Sequence, residues 1–468
     1  MTNTLANTLM VAGASALVAL SSPALAAPCT VEAFNACYIG VDGSDMQTVS
    51  AIEGPYDFVG IGIRSVDVLI PPNLPSAANP SGTLNVSAGG TLTLNYNPGT
   101  IGAPVLRPLD NSVLVGVSLS ATGVLNVNGG TVTAPILFVG QGDNTRPSTG
   151  TVTIANGGVF NATLDSSVAG PLPLFPAVGI GRGLGSVGDV TVTGAGSLLN
   201  AGSGVFSIGR EGTAALSVID GGVVVAGGTV FASTVSSTGS AAILVAGVGS
   251  KFDAGSNNIL LGINNNLLQS DPNHGVATLN VRDGGEVVGN ITAGTGATLR
   301  GDGTITGDVL NSGGSIAPGN SPGTLHIDGN LTQTGGTMDI EIAGAALFDG
   351  IDVSMNVALE DVLIRFIFID GYAPQAGDSY DFLHVGVGST LLNLTPTFEV
   401  LGLQPGFGYA VTNTDGVLAL IARTDGVSVP APGALVLLGF ALAGIALLRY
   451  RRAISAASAA CPRVAVLA

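Results

Sequence analysis

The 468-residue chain contains no tryptophan, three cysteines, three histidines and a single lysine, Lys251, and charged residues make up only 10% of it. Each shortage excludes something. The histidines, His274, His326 and His384, are scattered with no cysteine pair beside them, so they show no metal-ligand spacing and read as loop or strand residues. No cofactor is expected and no metal. One lysine and dispersed acids leave no cluster of the kind a polysaccharide lyase uses, and no evident pair of facing carboxylates for a glycosidase. The 71 glycines follow no Gly-X-Y period, which excludes collagen. A net charge of −17 excludes binding of nucleic acid, or of an anionic membrane surface, through the chain's own field.

What is abundant is glycine together with Val, Thr, Ala, Leu and Asn, the balance of an extended repetitive β-protein rather than of a compact α/β enzyme. Between residues 81 and 337 one phrase keeps returning, a short alternating run that ends in a Gly-Gly turn. It begins at Gly82, Gly123, Gly150, Ala215 and Ala277, and closes at Gly90, Gly130, Gly158, Gly222 and Gly285. Alternation at period two puts one side of each run on a core and the other in water. Asn-Gly, Asp-Gly and Gly-Gly then supply the positive φ angles of a tight turn. A second phrase, Gly-x-Gly-Ser, interleaves at Gly194–Ser197 and Gly247–Ser250, and a third marks the rung between them at Val139-Gly140, Val178-Gly179, Ile208-Gly209 and Leu261-Gly262. Units of this kind bury their apolar sides only by stacking, which predicts an all-β, right-handed parallel β-solenoid, or β-helix, over 81–337. Residues 27–80 are less repetitive and are expected to cap it. The longer apolar strands of 338–426 are expected to form a small C-terminal antiparallel β-domain.

The two ends carry targeting signals. Val11 to Leu20 is apolar and too short to span a bilayer, and Ala24-Leu-Ala26 follows, so 1–26 reads as a secretory signal peptide cut between Ala26 and Ala27. Export into an oxidising compartment favours a Cys29–Cys37 disulfide. At the other end Gly433 to Leu448 reaches roughly 24 Å as a helix, enough for a short transmembrane span. The basic stop cluster Arg449, Arg451 and Arg452 holds the tail, 454–468, in the cytoplasm and leaves everything before the span outside. Loss of both ends would leave ten basic against 31 acidic residues, a net of −21.

Val429-Pro430-Ala431-Pro432, the apolar run and the arginines together resemble the PEP-CTERM sorting signal, in a Val-Pro-x-Pro variant spanning 427–453. The resemblance implies an exosortase partner, export through the Sec translocon, transient anchoring in the inner membrane and release to the bacterial cell surface or exterior. Two prolines keep the segment before the span extended, as a processing enzyme needs. The repeats resemble those shared by autotransporter passengers and PEP-CTERM proteins, and Ala317-Pro-Gly-Asn-Ser-Pro-Gly323 resembles the junction near the end of such passengers. The role implied is a structural or adhesin-like component of the surface or matrix, with extracellular polysaccharide as a candidate partner. A secreted β-helix polysaccharide lyase or glycosidase is the alternative.

Two motifs mimic catalysis. Gly319-Asn-Ser-Pro-Gly323 matches a nucleophile elbow, but Pro322 has no N–H for an oxyanion hole and a β-run follows where a helix is required. Gly183 to Gly188 matches a dinucleotide fingerprint, again followed by a strand. No catalytic residue is assigned. The acid pairs Asp349/Asp352 and Asp302/Asp308 match no calcium-loop pattern and read as solvated turns.

Overall fold

A computed structural model describes residues 36–39, 44–56, 58–62, 81–94, 112–117, 120–142, 147–164, 176–233, 239–263, 275–320 and 322–427. Every regular element among them is a strand. The strands wind through three faces per turn, and each face pairs in parallel with the same face of the next turn. Face one stacks thirteen strands, from Ser44–Val49 through Thr149–Ala155 and Thr213–Ile219 to Thr397–Leu401. Faces two and three merge into one sheet, because Lys251–Leu261 and Glu286–Ala293 run unbroken around the corner between them. The first residues of Lys251–Leu261 pair with Val223–Val225 and its last with Val230–Ala232.

The alternation seen in the sequence becomes columns in the solenoid. On face one Leu84, Leu125, Val152, Val190, Leu216 and Ile243 lie in register, and all are buried. Face two contributes Leu92, Val132, Phe160, Leu199, Val224 and Phe252 to the same interior. Each fully buried aliphatic side chain contributes about 1.5–3 kcal/mol, and only the neighbouring turns supply that burial. A lone turn would leave both columns wet.

The recurring phrases are corners. In Asn156-Gly157, Asp220-Gly221 and Asp283-Gly284 both residues have positive φ, which turns the chain from face one to face two. Gly194-x-Gly196-Ser197 and Gly247-x-Gly249-Ser250 make the same corner another way, and there the buried serine hydroxyl accepts the backbone N–H of the adjacent turn, Gly157 for Ser197 and Gly221 for Ser250. The third phrase turns face three into face one: a Cβ on Gly140 would meet the Val187 carbonyl oxygen at 2.0 Å. In the turn between these, the equivalent glycine is Gly181, with φ +61°, rather than Gly179, which lies inside the strand Val178–Ile180.

Two boundaries differ from expectation. The solenoid does not end at residue 337. Thr337–Gly344, Leu363–Phe368 and Thr397–Leu401 continue face one in parallel, and Gly350–Val353, Val357–Glu360 and Ser379–Val385 continue the other two. Antiparallel pairing in 338–426 is confined to Leu347–Phe348 and to the hairpin Tyr409–Thr414/Val417–Ala422, which closes on Ser379–Val385. At the corner after Leu363–Phe368, Asp370-Gly371 repeats the positive-φ pair, at +54° and +70°, but Tyr372 stands where the phrase has its second glycine; Asp361, at φ +54°, turns face three into face one. The capping segment is also coiled: Ala36–Ile39, Ser44–Val49 and Ile52–Tyr56 each pair in parallel with the following turn. It keeps a cap's polarity. Gln47 is in register with buried Leu84, and its amide donates to Asp45 on the same strand, the first of face one among the described residues; polar side chains there discourage strand addition.

Candidate functional site

Turn length varies widely. Thr213 pairs with Ser240 after 27 residues, Ser81 with Thr122 after 41, and Thr298 with Ser315 after only 17. The short turns after residue 290 expose their corners, and two grooves flank one of them.

The corner between faces two and three is a ladder of Asn290, Asp308, Asn330, Asn356 and Thr390. Asn290 Oδ1 accepts the Asp308 N–H at 3.1 Å, and Asp308 Oδ1 accepts both the backbone and the side-chain N–H of Asn330, at 2.9 and 2.8 Å. Asn330 Oδ1 accepts the same pair from Asn356, and Asn356 Oδ1 accepts from Thr390. Each polar side chain thus satisfies the corner N–H of the next turn, a group that would otherwise lie outside the sheet ladders.

On the face-two side lies a groove of about 330 Å³ lined by His326, Asp328, Asp352, Ser354 and His384. His326, Asp352 and His384 occupy one register position on three adjacent strands. His326 Nδ1 is 3.2 Å from Asp352 Oδ2, and His384 Nδ1 is 3.0 Å from Asp352 Oδ1, all three side chains being about half exposed. Ser354 donates to Asp328 at 2.8 Å. The two histidines read as separate in the sequence therefore meet across one carboxylate. No group of metal-binding geometry occurs among the described residues. On the face-three side a groove of about 460 Å³ runs along five strands, with Thr292, Leu310, Thr332, Ala358 and Leu392 facing it.

Asp349 is not in a solvated turn. It is 1% exposed, and its Oδ1 and Oδ2 accept the backbone N–H groups of Gly323 and Glu341, both at 2.9 Å. Burial pushes its carboxyl up to about 7; the two backbone donors pull the other way and the Glu341 charge adds to the rise. Its position explains the Ala317–Gly323 string: Gly319, at φ +86°, packs its Cα against Asp349 Oδ1, where a Cβ would come within 2.1 Å. The strand Thr324–Asp328 follows, with no helix, as the sequence indicated. Gly183–Gly188 likewise runs into the strand Val187–Thr193. Asp302 accepts the Asp283 N–H, so it too serves a corner.

Cys37 is buried and disulfide-bonded. Its expected partner Cys29 lies outside the described residues, as do His274, Ala26, Ala27, Val429, Pro430, Ala431, Pro432, Arg449, Arg451, Arg452 and the apolar run 433–448. No helix among the described residues is long and apolar enough to cross a membrane. Asp328, Asn330, Ser354 and Asn356 were missed by sequence reasoning. A signal for them exists: the triplets His326-Ile-Asp328, Asp352-Val-Ser354 and His384-Val-Gly386 repeat a polar-apolar-polar or small pattern, and Asp308, Asn330 and Asn356 each precede an apolar residue that opens a strand.

These pairings define a parallel β-solenoid protein with a grooved C-terminal third. No protein-family model matches the chain, and no curated protein does. Among solved structures, the TibC-catalyzed hyper-glycosylated TibA fragment matches at 16% identity and a TM-score of 0.25, over 79% of this chain and 98% of that one.

Proposed function

We propose that the chain is an exported structural or adhesin-like protein of the bacterial surface or extracellular matrix, sorted by an exosortase at its C-terminus. The observation that carries the reading is the uninterrupted stack of thirteen face-one strands, a rod roughly 58 Å long at about 4.8 Å per strand. Such a rod displays surface and resists unfolding without needing a catalytic cleft. The signal peptide at 1–26 and the Val429–Pro432 segment before the apolar run support export and sorting.

The test is intact mass of protein recovered outside an exosortase-bearing host, beside Pro430→Ala and Pro432→Ala variants. A chain from Ala27 to a residue near Val429–Pro432, lost in the variants, is the expected result. A recovered chain that retains Arg449 to Ala468 would overturn the sorting reading and leave an ordinary anchor.

One observation favours a second reading, a polysaccharide-cleaving enzyme: Asp328 and Asp352 line the same groove. Against it, both oxygens of Asp352 face imidazoles and Asp328 Oδ1 accepts from Ser354, so the two carboxylates are engaged within the groove wall. Release of reducing ends from a panel of polysaccharides, abolished by Asp352→Asn, would establish the enzyme in place of the scaffold.

A further inference from the structure

The groove on face three has the features of a binding site for an extended polymer. It follows the solenoid axis across five strands, about 19 Å at the usual strand spacing. Its floor is a column of short or apolar side chains, with Leu310 and Leu392 41% and 49% exposed. Its wall is the Asn290–Asp308–Asn330–Asn356 ladder.

That ladder leaves polar capacity unspent. The carboxamides of Asn330 and Asn356 each place one N–H in the ladder, and a carboxamide nitrogen carries two. The ladder bonds of Asp308 use only its Oδ1. Unspent donors therefore stand at Asn330 and Asn356 on adjacent turns above an apolar strip, beside the Asp308 carboxylate acceptor. Hydroxyl groups, which both donate and accept, suit that row, and the C–H faces of sugar rings suit the strip.

Charge and topology narrow the class. Asp308 is the one acidic or basic side chain in the lining, and the whole chain carries −17, which disfavours a polyanion. The strands under the groove are interior to the sheet, paired on both sides from Val309–Ser312 to Val357–Glu360, so no edge is open to an extended peptide. We infer that this groove binds an extended, neutral, hydroxyl-rich polysaccharide strand, laid along the solenoid axis with its ring faces on Leu310, Ala358 and Leu392 and its hydroxyls on Asp308, Asn330 and Asn356. The inference deepens the matrix reading and rests on it.

The test is affinity electrophoresis of the purified full chain in native detergent gels containing dextran, a soluble β-1,3-glucan or a soluble β-1,4-glucan. Alginate serves as polyanion and casein as unfolded polypeptide. Retardation by at least one neutral glucan is expected, weakened at least tenfold by Ala358→Arg, which fills the groove, and unaffected by Thr153→Arg on face one. Leu310→Arg alters a side chain already exposed and keeps the comparison available if Ala358→Arg fails to fold; equal melting temperatures identify the folded variants. Retardation by alginate or casein alone, by no polymer, or by a glucan equally in all folded variants would overturn the inference. The mass experiment above reads export separately: a chain exported and trimmed but never retarded refutes the groove and not the sorting.

Discussion

Asp349→Asn tests how the buried carboxyl couples the last turns of the solenoid to pH. Both oxygens of Asp349 accept backbone N–H groups, and its carboxyl titrates at about 7 rather than near 3.8, chiefly because burial penalises the charge. A folded value raised above the unfolded one gives stability that is fully present below about pH 4 and is lost as pH rises through about 7. The loss runs at up to about 1.4 kcal/mol per pH unit, or roughly 4 kcal/mol across the window. Asparagine does not titrate, and its NH₂ must oppose one of the two backbone donors, which costs about 1–3 kcal/mol at every pH. The variant should therefore be less stable than the parent at about pH 4, and the two stability curves should cross at roughly pH 4.5–6. Urea denaturation followed by far-UV circular dichroism gives both curves, and their difference cancels the titration of the carboxylates they share. Exchange of the Gly323 and Glu341 amides locates the effect. A difference that stays constant from pH 4.5 to 7.5, or that moves in favour of the parent as pH rises, would refute the reasoning.

Three further outcomes follow from the corners and the sheet. Gly140→Ala and Gly157→Ala both place alanine at positive φ, but only the first drives a Cβ into a carbonyl, at 2.0 Å, while Gly157 has nothing within 4 Å. Gly157→Ala should cost about 1–2 kcal/mol, and the melting temperature of Gly140→Ala should fall well below it; equal melting temperatures would contradict the close approach. Ser250→Ala removes a buried hydroxyl that accepts from Gly221 and donates to Ala246. It should cost about 1–3 kcal/mol in urea denaturation and speed exchange of the Gly221 amide. Arg365 holds Asp339 through two hydrogen bonds on adjacent face-one strands. The pair is partly exposed, so Arg365→Ala should cost only about 1 kcal/mol, and less still in high salt.

Much of the fold is legible in the chain because strand alternation and corner chemistry are local. The runs from Gly82, Gly123 and Gly150 fixed which side chains face inward, and Asn156-Gly157 or Asp220-Gly221 marked the turns, without knowledge of any partner. The last turns escaped because the phrase is incomplete there: Asp370-Gly371 keeps the positive-φ pair, and Tyr372 stands where the second glycine would be. Longer apolar strands there suggested an antiparallel domain; parallel stacking on Thr337–Gly344 carries most of it, and antiparallel pairing is left to Leu347–Phe348 and the closing hairpin.

The candidate site was far less legible. His326, Asp352 and His384 lie 26 and 32 residues apart, and turns ranging from 17 residues, Thr298 to Ser315, to 54, Val59 to Val113, give no fixed count by which to align them. Sequence alone determined the all-β solenoid and the composition of its core columns, since periodicity and turn residues are properties of contiguous chain. Only the tertiary structure decided which turns share a register, which acid is buried and where grooves open, because those depend on how much chain each turn spends before it returns to the stack.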